Sequence, residues 1–528
     1  MTWRGKIAGV LAALVVSVAA LGAAVGTGRA SPVWTLRIAQ TGASPMASIG
    51  SIDPAQAGGF FAQQLLWSTC AFLYNYPDAS APAGAALRPE VAVAFPTVRR
   101  SGRDYTYTIQ VRGGFRYEDG RSVNAADFVY AIHRDLNPGV ASLGLTVLHD
   151  LVSATSRGDT IAITMDRQAA DLPAMLASTL FCAIPAGLPA QPNQMAPMAG
   201  PYYIASNTPS EIVLKVNPNY RGDRPHGAAE IDWMFQIPGD AIPLQVERGT
   251  ADYGVVSPAA TAPLAAQYGI NKSQFFVAPG YQSLCLVLNT SRPLFANNPR
   301  LRRAVNFAID RHALVAAFGS FAGRRTDQFL PYGMPGFVDA HVYPLTGPDL
   351  TKARQLARGH TRDGTAVMYV RSPAPLATAR AQIVQYDLKQ IGINVQIQPF
   401  SPATDPSRRG EPFDIDDRGC GDIAPYFDPY ALLNLPFDGS LIRASANTNL
   451  SYFNDPIYNK KLEAAASLTG ADRYRAYGRI DVELARDAAP AVPYAVFNHT
   501  AFVSARIGCV KMSPVYGASL GALCVKGS

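Results

Sequence analysis

The stretch Leu87–Pro138 reads LRPEVAVAFPTVRRSGRDYTYTIQVRGGFRYEDGRSVNAADFVYAIHRDLNP, and its local physics sets the fold class. Tyr105, Tyr107, Ile109 and Val111 alternate with Asp104, Thr106, Thr108 and Gln110, the period of a strand with one buried face. Gly113-Gly114 and the Asp119-Gly120 turn then bend the chain around Phe115-Arg116-Tyr117. Asn124 stands where a helix cap is needed. Asp127 is placed as the returning acid of a capping box, and Phe128, Ala131 and Ile132 form the buried stripe. Strand, bend and amphipathic helix in succession point to mixed α/β structure.

The same alternation continues outward. Asn298-Pro299, a cap followed by a first-turn proline, announces a helix with Leu301, Val305, Ala308 and Ile309 at helical spacing. Ala366 to Val370 reads as a strand and Leu376 to Ile391 as a helix, with Ile383, Val384, Leu388 and Ile391 inward and Gly392 as its stop. Ile393, Val395 and Ile397 then alternate with Asn394, Gln396 and Gln398, completing a β-α-β unit whose crossover is expected to be right-handed.

At 528 residues the chain exceeds one ordinary core, and about 150 residues per domain predicts several lobes. Hydrophobic content of 48%, charged content of 16% and a mean hydropathy of +0.04 exclude a disordered chain, a coiled coil and a polytopic membrane protein. The net charge of +7 falls to +4 once Arg4, Lys6 and Arg29 of a removable leader are set aside. With no dense basic run carrying interleaved aromatics, no nucleic-acid partner is expected.

Arg4 and Lys6 precede an apolar run from Ile7 to about Val25, followed by Gly26, Thr27, Gly28, Arg29 and Ala30, a secretory layout. Either a cut falls ahead of Ser31, or the run, which nearly reaches spanning length, is retained as an anchor. No cysteine lies in or just after the segment, so a lipoprotein is not expected. The six cysteines, Cys70, Cys182, Cys285, Cys420, Cys509 and Cys524, all fall in the exported part, where disulfides form. Six allow 15 connectivities. Cys509 with Cys524 is the most local pair, and Cys70 with Cys182 and Cys285 with Cys420 are taken as the remainder. No Cys-x-x-Cys is present, which removes the basis for zinc-ribbon and thioredoxin-like readings.

Catalytic constellations are mostly missing. Gly517-Ala518-Ser519-Leu520-Gly521 spells a nucleophile elbow, but no Asp, Glu or His follows Ser519, where that fold needs them. A secreted hydrolase is therefore a remote alternative, and the segment is read as a turn or loop. The seven histidines show no metal-ligand spacing, and neither a phosphate loop nor a dinucleotide fingerprint occurs. Asp414, Asp416 and Asp417 cluster near a strand end and are read as a solvated face.

Beyond Leu87–Pro138, the chain carries GPYYI (Gly200 to Ile204), VNPNYRG (Val216 to Gly222), NTSRPLFANNPRLRRAVNFAID (Asn289 to Asp310) and QIGINVQIQ (Gln390 to Gln398). In this order these motifs resemble the family 5 extracytoplasmic solute-binding proteins of ABC transporters, over most of the mature chain. The resemblance implies a two-lobed α/β clamp of the periplasmic-binding-protein type, with an extra subdomain inserted in the first lobe. Residues 1–30 would be the signal peptide. Residues 31–55, 189–280 and 492–528 would form the first lobe, 56–188 the inserted subdomain and 281–491 the second lobe, with two crossing segments as hinge. It further implies a monomeric receptor in the periplasm or cell envelope, without enzymatic activity or cofactor. This receptor closes on a short peptide or similar small solute and presents it to a membrane permease. A same-fold binder of a non-peptide solute, or a cell-envelope regulator without transport, is the alternative.

Peptide binders of this family commonly carry Gly-Trp-x-Ala/Gly-Asp, whose aspartate pairs with the peptide's α-ammonium. Here the segment runs Arg418-Gly419-Cys420-Gly421-Asp422-Ile423-Ala424-Pro425-Tyr426-Phe427-Asp428-Pro429-Tyr430. Matching Cys420-Gly421-Asp422 puts Asp422 at the anchor and Gly419 in place of the tryptophan. Matching Asp428-Pro429 puts Asp422 at the tryptophan and Pro425 at the anchor. Tyr426 and Phe427 line the cleft or pack within the lobe, and a Cys285–Cys420 bond would staple a strand near the hinge to this loop.

Overall fold

The computed structural model of the protein describes residues 34–191, 195–371, 375–400, 404–417, 420 and 426–527. The leader, Asp422 and Pro425 lie outside the described residues.

The elements form where local chemistry asks for them. Asp104–Gln110 is a strand with Tyr107 and Ile109 buried, joined antiparallel to Thr97–Ser101 and Thr160–Met165, with Leu151–Arg157 beyond. The helix Ala125–Asp135 starts in a capping box made by Asn124 and Asp127. Asn298 caps the helix Pro299–Ala308, its side chain accepting from the Leu301 amide. Thr365–Arg371, the helix Pro375–Lys389 and Asn394–Phe400 make the expected β-α-β unit, with its two strands parallel.

Among the described residues, eleven strands join in one large sheet. On one side lie Asn394–Phe400, Thr365–Arg371 and Ile415–Asp416; on the other lie Tyr253–Gly254, Thr35–Ala39, Glu230–Met234, Glu211–Val216 and Tyr202–Asn207. Between them stand two long antiparallel strands, Phe275–Leu288 and Ala491–Val503, with Gly323–Arg325 added alongside. Their register slips between Pro279 and Ser283, bulging out Gly280, Tyr281 and Gln282. Gly280 is needed there because a Cβ would come within 2.9 Å of the Phe497 carbonyl oxygen.

The family-like motifs are joints between elements. The Asn217 amide donates to Gly200 O and Arg116 O, each at 3.1 Å, and that of Asn219 to Tyr117 O and Glu118 O, so VNPNY staples GPYYI to the Phe115–Glu118 bend. Arg224 Nε meets buried Glu90 Oε1 at 2.8 Å, and its other nitrogens donate to Trp67 O and Cys70 O.

Disulfides join Cys70 to Cys182, Cys285 to Cys420 and Cys509 to Cys524. The aspartate cluster differs from expectation. Asp414, Asp416 and Asp417 are 5%, 0% and 5% exposed, because Ile415–Asp416 is an interior strand of the large sheet. Asp414 Oδ2 accepts from the Val367 amide at 2.9 Å, and Asp417 Oδ2 from Arg380 Nη2 at 3.0 Å. Ser519 is buried and donates to Asp78. Among the described residues no helix is long and apolar enough to cross a membrane, and no cluster of His, Cys, Asp and Glu suits a metal ion.

Candidate functional site

The Gly280–Gln282 bulge opens onto a cleft with an interior of about 100 Å³. Its walls come from distant parts of the chain: Phe60 and Gln63, Tyr76, Ser178 and Thr179, Tyr281 and Gln282, Met334, Tyr426 and Phe427, and His499 with Tyr516. The walls are aromatic. Phe427 stacks on Tyr281 with ring centroids 4.0 Å apart, and Tyr76 meets Phe427 and Tyr516 edge-on at 6.1 and 6.3 Å. The His499 ring stacks on Phe60 at 5.0 Å.

None of the described lining residues carries a fixed charge. Desolvation lowers His499 to about 4, against the opposing pull of the Pro514 carbonyl oxygen 3.2 Å from Nε2, so the ring is neutral at ordinary pH. An oxygen acceptor at that distance places the proton on Nε2. The polar groups of the walls are amides and hydroxyls, those of Gln63, Gln282, Ser178, Thr179 and Tyr281, while the hydroxyls of Tyr76 and Tyr516 donate to Phe427 O and Ala177 O.

Charge sits one layer behind. The Tyr426 hydroxyl donates to Asp171 Oδ2 at 2.9 Å, and burial raises the phenol so far that it remains a donor. Burial alone would raise the Asp171 carboxyl, but the guanidiniums of Arg167 and Arg473 outweigh it and hold it below the usual carboxylate range. Arg473 grips Asp428 through both oxygens at 2.6 and 2.9 Å, while Asp428 caps the helix Pro429–Phe437 through the Tyr430 amide.

Of the residues singled out in the sequence, Tyr426 and Phe427 line the cleft. Cys420 is buried and bonded to Cys285 on the long strand that carries Tyr281. Asp422 and Pro425 fall in 421–425, outside the described residues, between these two fixed points. Cys70, Cys182, Cys509 and Cys524 lie away from the cleft walls. Sequence reasoning missed Phe60, Gln63, Tyr76, Tyr281, His499 and Tyr516. Their ring-rich chemistry is ordinary for a core, and no spacing links positions this far apart.

Residues 86–441 match the middle region of bacterial extracellular solute-binding proteins, family 5. The chain belongs to that family. Among the relatives of the chain, the glutathione-binding protein GsiB of Pectobacterium atrosepticum is 24% identical over 380 residues, 70% of each chain. The fold is shared with a clavulanic acid biosynthesis oligopeptide binding protein 2, with a TM-score of 0.80 and 21% identity over 93% of this chain and 95% of that one. It is shared too with AgaA from A. tumefaciens R10 in complex with agropinic acid, with a TM-score of 0.75 and 20% identity over 94% and 99%. These family 5 structures are two-lobed binding proteins, and the mixed α/β fold described above is theirs.

Proposed function

We propose that the protein is an extracytoplasmic receptor that captures short peptides by closing its lobes on them and hands them to the permease of an ABC importer. The observation that carries this reading is a ring-lined cleft at the bulge of the two long strands, walled by segments from both ends and the middle of the chain. Residues 31–55, 189–280 and 492–528 form one lobe with 56–188 inserted, 281–491 form the other, and residues 1–30 direct export to the periplasm or cell envelope. Amide and hydroxyl groups of Gln63, Gln282, Ser178 and Thr179 suit a peptide backbone, and the aromatic walls suit its side chains. Asp422 supplies the carboxylate for the α-ammonium, in a segment whose flanks, Cys420 and Tyr426, are both tied near the cleft. Cargo touching both lobes favours the closed form, which the permease recognises.

One observation favours a second reading. A free peptide brings two charges, whereas the described cleft walls offer neutral groups, which suits a non-peptide solute or a regulator without transport. Calorimetry against di- to octapeptides separates the readings. Binding with a negative heat-capacity change supports peptide capture, whereas silence across the set removes it. Mass spectrometry of material carried through native purification names the alternative cargo.

A further inference from the structure

The net charge of the chain is gathered in one stretch. Residues 299–400 hold thirteen Lys and Arg against six Asp and no Glu, an excess of seven that equals the net charge of the whole protein. The fold then brings six of these cations, Arg300, Lys352, Arg354, Arg358, Arg362 and Lys389, to one surface. Arg300 Nη2 donates to Gln355 O at 3.3 Å, which ties the start of the helix Pro299–Ala308 to the helix Leu350–Ala357. Arg354 Nε donates to Gln390 O at 3.0 Å and its Nη2 to Gln390 Oε1 at 3.3 Å, which ties that helix to the end of Pro375–Lys389. Arg362 Nη2 donates to Ala296 O at 3.1 Å and closes the group. All six residues are exposed. Among the described residues none of them enters an ion pair; the pairs near this stretch are Arg292 with Asp414 and Arg380 with Asp417. The neighbouring acids are turned to backbone amides: Asp349 to Lys352 at 2.9 Å, Asp363 to Thr365 at 3.2 Å and buried Asp387 to Asp310 at 2.8 Å. Asp363 alone of these three is exposed.

We propose that this surface is a docking face for an anionic phospholipid bilayer, which keeps the receptor on the membrane that carries its permease. Like charges held side by side on neutral carbonyl partners repel one another, and a layer of phosphates removes that repulsion. Arg300, Arg354 and Arg362 are positioned by carbonyl and amide oxygens, so each guanidinium keeps its full charge and further N–H donors for phosphate oxygens. A single small anion would need donors converging on a pocket. These cations are instead spread over the ends of three helices and a loop, and none of them lines the cleft, so they suit a laterally mobile array of headgroups. Nucleic acid would ask for several rings interleaved with the cations, and the described surface offers Tyr386. That ring is 68% exposed, one turn before Lys389 on the same helix, and an exposed ring with a polar tip fits the headgroup level of a bilayer. Each basic side chain brought to an anionic lipid surface strengthens partitioning about fivefold, so six support reversible attachment without insertion.

The inference rests on the proposed export of the chain, not on what it carries, so the experiment needs no cargo. Cosedimentation of the protein in its exported form is compared on vesicles of phosphatidylcholine alone and of an equimolar mixture with phosphatidylglycerol. The expected result is partitioning at least about tenfold stronger on the anionic vesicles at roughly 0.05 M salt, most of it lost at roughly 0.5 M. Lys352→Glu/Arg358→Glu/Lys389→Glu should lower that partitioning at least about tenfold. Arg99→Glu/Arg103→Glu/Arg157→Glu, which makes the same change in net charge on the sheet of the inserted stretch, should keep most of it. Equal partitioning of the wild type on the two kinds of vesicle overturns the docking face. Equal loss in the two triple variants overturns it too, since net charge then accounts for the effect. Retention on polyglutamate with indifference to both vesicles overturns it in favour of an acidic protein partner. If the reversed variant does not fold, Lys352→Gln/Arg358→Gln/Lys389→Gln, which removes the charges without adding acids, carries the same comparison. A silent peptide screen leaves vesicle binding standing, and a protein that ignores vesicles leaves peptide capture standing.

Discussion

Phe427 stacks on Tyr281 with ring centroids 4.0 Å and ring planes 24° apart. The first ring sits just beyond the segment that carries Asp422; the second sits in the bulge where the two long strands lose register. The pair thus fastens the bulge of the long strands to the wall that Phe427 contributes.

Phe427→Ala and Tyr281→Ala are each expected to weaken cargo binding by about 1–3 kcal/mol, roughly fivefold to 150-fold, as truncation of a central aromatic wall residue does. Calorimetry on the double variant should give less than the sum, because either truncation already removes the shared stack. Additive losses would mean that each ring meets the cargo independently.

Asp422→Asn keeps the shape of the side chain and removes its charge. If it anchors an α-ammonium, affinity should fall by about 2–5 kcal/mol, roughly thirtyfold to several thousandfold. Acetylating the peptide's N-terminus should cost the wild type as much and the variant little more, since both changes remove one pair. Equal affinity of variant and wild type would move the anchor position to Pro425 and remove the need for a free amine.

His499 gives a pH dependence of known sign. Its folded pKa is lowered to about 4 from 6.5, so the folded state binds fewer protons than the unfolded state between these values. The stability it contributes is complete above pH 6.5 and is lost as pH falls toward 4, about 1–3 kcal/mol in all for a half-buried ring. Denaturant titrations of His499→Gln should lack that part of the acid slope. An unchanged slope would show that the ring is protonated as readily in the fold as outside it.

The Cys285–Cys420 bond closes 135 residues of chain. Replacing both cysteines by alanine is expected to cost about 2–5 kcal/mol in stability, read from thermal or denaturant unfolding. Cargo affinity should fall as well, because Cys420 ties the approach to Tyr426 to the strand bearing Tyr281. Lost stability with unchanged affinity would separate the bond from the cleft.

Much of this architecture was legible in the sequence because its signals are local. The capping box at Asn124 and Asp127, the Asn298-Pro299 helix start and the alternation around Tyr107 each depend on neighbours a few residues away, and each forms as read. Tyr426 and Phe427 could be named only as lining or packing, because an aromatic side chain reads the same in a cleft as in a core. Asp414, Asp416 and Asp417 misled for a related reason: a run of carboxylates signals solvent unless the strand bearing it becomes interior, and strand order is not written locally.

The sequence by itself determined the elements, their order and the family, since those follow from short-range periodicity, caps and motifs. The tertiary structure alone decided the site. Phe60, Tyr76, Tyr281, Phe427, His499 and Tyr516 meet only because two long strands bring both ends of the chain to its middle, and Asp171 finds Tyr426 and Arg473 only when distant segments pack face to face. Burial then turns ordinary residues into functional ones, by keeping His499 neutral and by leaving Asp171 no partners except those brought to it.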